Sequence, residues 1–271
     1  MAKERVRIRA RFFIFVPIMK RVLIIGGTSG IGRELARTYL RQGCRVGVTG
    51  RREQLLASLQ QEALGGELQI RAFDVTREQV CEDLAEVVSA MQGVDLCIYA
   101  AGYGFGNLPL DPTLETNAVS VNVQAFVRVV TWFFHYWNSC GQAGHFAVIS
   151  SIAGIRPLGV APAYSATKHF QAFYLNTLRQ LAVARHSKIC FSSIHPGFVD
   201  TDFIKGHRYP MTMSVEKAVQ AMVRGLNRRR KTIIVDGRWR MIAALMHLIP
   251  AALWTRLGVF FRGSERVFPH D

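Results

Sequence analysis

Residues 21–25, Arg-Val-Leu-Ile-Ile, run without interruption into Gly26-Gly27-Thr28-Ser29-Gly30-Ile31-Gly32. Beyond that turn, residues 33–40 carry their apolar side chains at helical spacing. A short buried strand, a glycine-dense turn and an amphipathic helix, in that order, form the entry of a dinucleotide-binding α/β unit. Gly26 allows the tight turn, Gly30 lets the backbone approach a pyrophosphate, and Gly32 lets the helix pack on the strand. The helix start offers free N–H groups and a positive dipole end to phosphates. Taken alone, the same turn also suits a structural strand–helix junction that binds nothing.

The rest of the chain extends that beginning. Short apolar segments at 21–26, 45–49, 68–73, 95–100, 144–150, 188–195 and 232–236 read as strands. Longer segments with helical periodicity fall near 30–42, 52–64, 77–91, 114–138, 162–185 and 215–229. This alternation predicts an α/β fold: a Rossmann-type, doubly wound parallel sheet of about seven strands with helices on both faces. Ligands of such sheets bind outside the carboxyl ends of the strands. Gly26, Asp74, Gly102, Ser151 and Pro196 each fall just after a predicted strand. With 271 residues, 49% of them hydrophobic, the chain is long and apolar enough to bury a sizeable core and is not a disordered one.

A second constellation lies far from the glycines. Tyr164 and Lys168 are four apart in a predicted helix and share one face, and Ser151 precedes the tyrosine by thirteen positions. An ammonium held beside a phenol favours the phenolate, which predicts a tyrosine pKa lowered from its ordinary ~10 toward neutrality. That would make Tyr164 a usable proton donor and acceptor. By itself the pair is also compatible with two ordinary helix positions.

Together with Ser151, Tyr164 and Lys168, the Gly-x-x-x-Gly-x-Gly spacing resembles the short-chain dehydrogenase/reductase family, in its compact single-domain branch. The resemblance runs from Lys20 to Asp236 and includes further blocks in the family's order: Asp74-Val75, Ala100-Ala101-Gly102, Asn122, Ile149-Ser150-Ser151, and Pro196-Gly197-Phe198-Val199-Asp200-Thr201. One block departs. Where the family usually has Asn-Asn-Ala-Gly, this chain has Tyr99-Ala100-Ala101-Gly102, a change expected to weaken local backbone hydrogen bonding.

The resemblance implies a hydride-transfer enzyme that interconverts a carbonyl and a secondary alcohol. Tyr164 would donate the proton, Ser151 would hydrogen-bond the carbonyl oxygen, and Lys168 would lower the tyrosine pKa and grip the nicotinamide ribose. Asn122 would help place a water that connects Lys168 to solvent. Adjacent strand residues point to opposite faces, and the family spacing selects Ser151 over Ser150. The implied cofactor contacts are Gly26, Thr28, Ser29, Gly30, Ile31, Arg51, Asp74, Val75, Ala101, Gly102, Tyr164, Lys168, Pro196, Gly197, Val199 and Thr201. No metal is implied. His195 reads as a packed strand-end histidine rather than a catalytic one.

The expected cofactor is NADP(H), with NAD less favoured. In Val46-Gly47-Val48-Thr49-Gly50-Arg51-Arg52, Gly50 stands where NAD enzymes of the family carry an aspartate. Arg51 follows, where NADP enzymes carry a basic residue able to pair with the 2′-phosphate, and Arg52 is a second candidate. Ser29 stands where many NADP enzymes have another basic residue. The segment 202–213, with Phe203, Tyr209, Met211 and Met213, suggests a lid over an apolar substrate. Two other functions are weighed: a membrane-associated lipid or sterol reductase, and a non-catalytic NADP(H) sensor.

A net charge of +15 invites a nucleic-acid reading, but its distribution argues against one. Basic residues cluster at 3–11 and at Arg228-Arg229-Arg230-Lys231, both beside apolar stretches, which suits a solvated face or an anionic membrane surface. Residues 1–18 are expected to form a flexible extension, 19–240 the catalytic domain, and 241–271 an apolar segment packing on the pocket, a dimer partner or a membrane. Pro250 interrupts that segment, so two short amphipathic helices are expected rather than one span. Five cysteines without metal spacing suit a reducing compartment. The expectation is a cytoplasmic homodimer or homotetramer acting on a small-molecule carbonyl or alcohol, with peripheral membrane contact through the C-terminal segment kept as an alternative.

Overall fold

A computed structural model describes residues 21–257 except 63, 105, 203–208 and 210. The expected extension at 1–18, the last residues of the tail and most of the expected lid therefore lie outside the described residues.

Seven strands form one parallel sheet in the order β3-β2-β1-β4-β5-β6-β9. They are β1 Arg21–Ile25, β2 Arg45–Gly50, β3 Leu68–Ala72, β4 Leu96–Tyr99, β5 Gly144–Ile149, β6 Ile189–His195 and β9 Thr232–Ile234. Each lies within two residues of its expected place at either end. The helices between them are α1 Gly30–Arg41, α2 Glu53–Gln60, α3 Val80–Ala90, α4 Pro112–Val119, α5 Phe126–Ser139, α6 Pro162–Ala184 and α7 Val215–Asn227. Two more, α8 Gly237–Leu248 and α9 Ala251–Leu257, follow the sheet and break at Pro250.

The pleat explains why the strands read as continuous apolar runs. Alternate residues of each strand enter two different cores. Leu23, Ile25, Cys97, Tyr99, Phe146 and Val148 pack on one side against α3, α5 and α6, around Leu84, Phe126, Phe133, Trp137 and Leu175. Val22, Ile24, Val46, Val48, Ile98 and Ala147 pack on the other against α1, α2 and α7, around Leu35, Tyr39, Leu56, Met222 and Leu226. Strand order reverses between β1 and β4, and that switch point is where ligands of such sheets bind.

Two features were not expected. The segment read as one helix over 114–138 is broken: residues Ser120–Ala125, between α4 and α5, form a π-helix. A two-residue parallel pair, β7 Val199–Asp200 with β8 Met213–Ser214, closes the base of the segment read as a lid.

Candidate active site

The glycine turn is built against its neighbours. The N–H groups of Gly26 and Gly27 both donate to the Thr49 carbonyl at 2.9 Å. Gly26 has φ +89°, and a Cβ there would lie 2.4 Å from the Ala101 nitrogen, so no other residue fits. Ala101 N–H is itself bonded to Ile25 O at 2.7 Å, which holds the ends of β1 and β4 together. Ser29 precedes α1 in an extended conformation, and its hydroxyl makes no capping bond to that helix. Gly30 faces Thr201, whose Cγ2 would lie 3.3 Å from an added Cβ, so the turn and the segment after β7 stand opposite each other. Ile31 packs on the α1 side of the sheet, and Val75 lies in the opposite core.

The two arginines after β2 behave differently. Arg52, the second candidate from sequence, folds back over the glycine turn: Nη2 donates to Thr28 Oγ1 at 2.7 Å and to Ser29 Oγ at 2.6 Å. Arg51 points outward with a side chain 71% exposed and pairs loosely with Asp74 at 3.6 Å. Asp74 accepts from the main-chain N–H and the hydroxyl of Thr76. Burial pushes its carboxyl pKa up, but Thr76 and Arg51 outweigh that and hold it below its ordinary value.

The second half of the site gathers on α6. Tyr164, Lys168 and Gln171 lie on one face, at spacings of four and three. Tyr164 is hydrogen-bonded to the side chain of Ser151, which follows β5. Lys168 Nζ donates to Ile149 O at 2.9 Å and to Gln171 Oε1 at 3.3 Å, and lies 5.7 Å from the centre of the Tyr164 ring. Gln171 Nε2 donates to the Asn122 carbonyl at 2.9 Å. The Asn122 side chain sits in the π-helix, donates to Tyr103 O at 2.6 Å and Thr167 Oγ1 at 3.0 Å, and accepts from Tyr103 N–H. A Cβ at Gly102 would come within 3.3 Å of Lys168 Nζ, so this glycine keeps the ground beside the lysine clear. Asn122, Ser151, Tyr164 and Lys168 are thus brought together.

Ser150 is buried, and its hydroxyl donates to the Lys168 carbonyl, which leaves Ser151 as the serine in contact with the tyrosine. His195 ends β6 with Nδ1 3.1 Å from the Ser151 carbonyl, so it braces the serine from behind. Pro196 O accepts from Ile152 N–H, Val199 is buried, and Gly197 lies flat against the Trp239 ring of α8.

The electrostatics differ from the sequence-based expectation. Lys168 does not bring the phenol toward neutrality. Burial raises the Tyr164 pKa, and the Ser151 hydrogen bond offsets this only in part. The same burial brings Lys168 down from 10.5 to about 7. A fully enclosed charge loses its hydration, and at this separation that loss exceeds the attraction between the two groups.

The departure at Tyr99 is compensated. Its ring is fully buried and its hydroxyl donates to the Val121 carbonyl at 2.6 Å, so β4 is tied to the π-helix beside Asn122. Three further residues belong to the site. Gln171 links Lys168 to Asn122, and its place seven residues after Tyr164 was a readable signal. Gly104 lies against the Tyr164 ring, where an added Cβ would be 2.1 Å from Cδ2. Glu115, on α4, accepts from Ala163 N–H at 2.9 Å and from Asn107 Nδ2 at 2.8 Å. It thereby caps α6, whose own cap residue, Ala161, has no side-chain acceptor. No local pattern marks that contact.

Comparison with known proteins agrees with this geometry. The short chain dehydrogenase family model matches residues 20–211. A "Dehydrogenase/reductase SDR family protein 7-like" of Dictyostelium discoideum is 29% identical over 68% of this chain, which spans 60% of that protein's length. An uncharacterized oxidoreductase of Myxococcus xanthus is 29% identical over 77% of the chain and 84% of its own length. Among solved structures, a short-chain dehydrogenase/reductase from Burkholderia phymatum in complex with NAD superposes with a TM-score of 0.76 at 20% identity, covering 84% of this chain and 93% of that one. A short-chain dehydrogenase from Sphingobium yanoikuyae in complex with NADPH superposes with a TM-score of 0.69 at 23% identity, covering 86% and 98%. The parallel sheet, the glycine turn and the Ser151–Tyr164–Lys168 cluster have the same explanation as these matches: the chain belongs to the short-chain dehydrogenase/reductase family of oxidoreductases.

Proposed function

We propose that the chain is an NADP(H)-dependent oxidoreductase interconverting a carbonyl and a secondary alcohol, with an apolar substrate. The observation that carries this is the buried contact of Tyr164 with Ser151, beside Lys168, at the carboxyl edge of the sheet. A nicotinamide nucleotide, when bound, supplies the hydride.

The residues present suit such a cofactor. The start of α1, with the Thr28 and Ser29 hydroxyls beside it, offers donors to a diphosphate. Gly102 leaves room beside Lys168 for a ribose. The preference for NADP rests on two features after β2. A Cβ at Gly50 would lie 2.6 Å from Thr28 Cγ2, so an acid of the kind NAD enzymes place there would displace Thr28. Arg52 is ordered on the glycine turn and Arg51 stands beside it, two guanidinium groups for one 2′-phosphate.

In the reduction direction, Tyr164 Oη gives its proton to the carbonyl oxygen while the Ser151 hydroxyl hydrogen-bonds the same atom. Burial keeps the phenol protonated at neutral pH, which is the form this step uses. Lys168, with a pKa of about 7, takes up and releases a proton in the same range. Gln171 and Asn122 hold its position. Phe198, stacked on Tyr209 at 4.1 Å and edge-on to Trp239 at 5.7 Å, forms an aromatic wall beside Gly197 that suits an apolar substrate.

Calorimetry with NADPH and NADH tests the cofactor assignment. The wild type should bind NADPH more tightly, and Arg52→Ala should lose roughly ten- to a hundredfold in NADPH affinity with NADH little changed. Equal losses for both cofactors, or tighter NADH binding by the wild type, would overturn the preference. Tyr164→Phe should keep fold and cofactor affinity and lose roughly two to four orders of magnitude in turnover across a carbonyl panel. Near-normal turnover would refute the assigned role.

A further inference from the structure

The helices α8 and α9 leave one face uncovered. Met241, Leu245 and Leu248 on α8 are 64%, 55% and 78% exposed, and Leu253 on α9 is 51% exposed. Spacings of four and three set the α8 residues in one stripe, with exposed Ala244 among them. Exposed Arg238 and Arg240 border the stripe and exposed Arg256 extends it, while residues 237–257 contain no aspartate or glutamate.

The opposite face is fastened to the body of the protein. Trp239 lies on Gly197, and Ala243 is buried. Arg156, five residues after Ser151, donates to the carbonyls of Met246 at 2.9 Å and Ile249 at 2.5 Å, and its guanidinium sits 5.6 Å from the Trp254 ring. Trp254 Nε1 donates in turn to Pro157 O at 2.8 Å. This helix pair is therefore preorganised, with its inner face already committed and its apolar stripe directed outward.

We propose that this helix pair is a docking surface for an anionic lipid bilayer, lying in the interfacial plane rather than crossing it. Among the described residues no helix is long and apolar enough to span a membrane. The chemistry of the patch selects lipid over a second copy of the chain. Arg238 is already paired with Asp236 at 2.6 Å, but an isologous contact would still set Arg240 and Arg256 of two molecules together with no acid between residues 237 and 257 to answer them, and the whole chain carries +15. A bilayer takes both halves of the pattern: the leucine and methionine side chains enter the acyl boundary, and the arginine heads reach anionic phosphates. Each arginine near such a surface contributes about fivefold in affinity. Docking would hold α8, which runs from Gly197 to the Arg156 contact, at the lipid surface, so the mouth of the site would open where apolar carbonyl compounds partition. The docking itself does not depend on the reaction assigned above.

Vesicle co-sedimentation of the full chain tests this. The wild type should pellet with vesicles of mixed phosphatidylserine and phosphatidylcholine, not with phosphatidylcholine alone, and less so as salt rises. The double variant Leu245→Glu, Leu248→Glu alters exposed side chains only, and should lose roughly tenfold or more of that binding. Arg240→Ala with Arg256→Ala, which leaves the apolar stripe intact, should lose about twenty-fivefold. Circular dichroism checks that both variants are folded. Absence of binding to the anionic vesicles, equal binding to neutral ones, or undiminished binding by the leucine variant would overturn the proposal. So would a wild-type dimer that the leucine variant dissociates without any vesicle binding, which would assign the patch to a second copy.

Discussion

Replacing Lys168 by methionine keeps most of the length of the side chain and removes its titratable amine. Burial brings the wild-type ammonium from its ordinary 10.5 down to about 7. Between those values the unfolded chain holds a proton that the folded chain has released. Raising the pH through that window therefore favours the fold, by about 1.4 kcal/mol per pH unit. From pH 7 to pH 9 the wild type should gain about 2 kcal/mol that Lys168→Met does not share, since half of the titration is already complete at the lower pH. The variant also leaves Ile149 O and Gln171 Oε1 without their donor. That costs about 1–3 kcal/mol for each group but does not change with pH. Other titrating groups are common to both proteins and cancel in the difference. Urea unfolding followed by tryptophan fluorescence, at pH 7, 8 and 9, measures the gap between the two. Wild-type stability minus that of the variant should rise with pH. A difference that stays constant, or falls, would refute the claim that burial governs the lysine.

Two further substitutions probe the surroundings of the tyrosine. Gly104→Ala places a Cβ where the Tyr164 ring now lies, so the ring must tilt away from Ser151; turnover should fall about a hundredfold and the overpacking should cost about 1–3 kcal/mol of stability. Steady-state kinetics at the wild-type level would show that the ring has slack there. Glu115→Ala removes the cap of α6 and should cost about 1 kcal/mol, or roughly 2–4 °C in a thermal melt. Glu115→Gln should restore most of that loss, because its amide oxygen can still accept from Ala163 N–H; a Gln variant as unstable as the Ala variant would mean the cap is not what Glu115 provides.

The sheet was legible because a parallel strand is buried on both faces. Runs such as Val22–Ile25 and Phe146–Ile149 therefore read as unbroken apolar stretches. The family spacing pointed to Ser151, and that only one of Ser150 and Ser151 can face the site was legible from the pleat. So was the break at Pro250 that divides the tail into α8 and α9. What escaped depends on distance in space rather than in sequence. Arg51 and Arg52 are neighbours of identical chemistry, and only the turn of the chain after β2 decides which one lies on Thr28 and Ser29. The proximity of Lys168 to Tyr164 follows from helical spacing, but the loss of hydration that dominates both groups comes from β5, the π-helix and the Gly102 loop closing around them. Glu115 reaches α6 across 48 residues of chain, with no periodicity to announce it.

The π-helix at Ser120–Ala125 amounts to one residue more than a regular helix would hold over the same rise. Within it, Phe126 N–H bonds to Val123 O, and Asn122 O accepts from Gln171. Wound as regular helix with no residue removed, the same stretch would merge α4 and α5 into one uninterrupted helix with a better internal ladder. It would also rotate everything on one side of that stretch by about 100° relative to the other. Either the aromatic face of α5 would leave its core, or Asn122 would swing away from Tyr103 and Thr167. The defect works as a phase shifter: it allows a single long helix to serve two partners whose angular positions no uniform helical repeat could satisfy together.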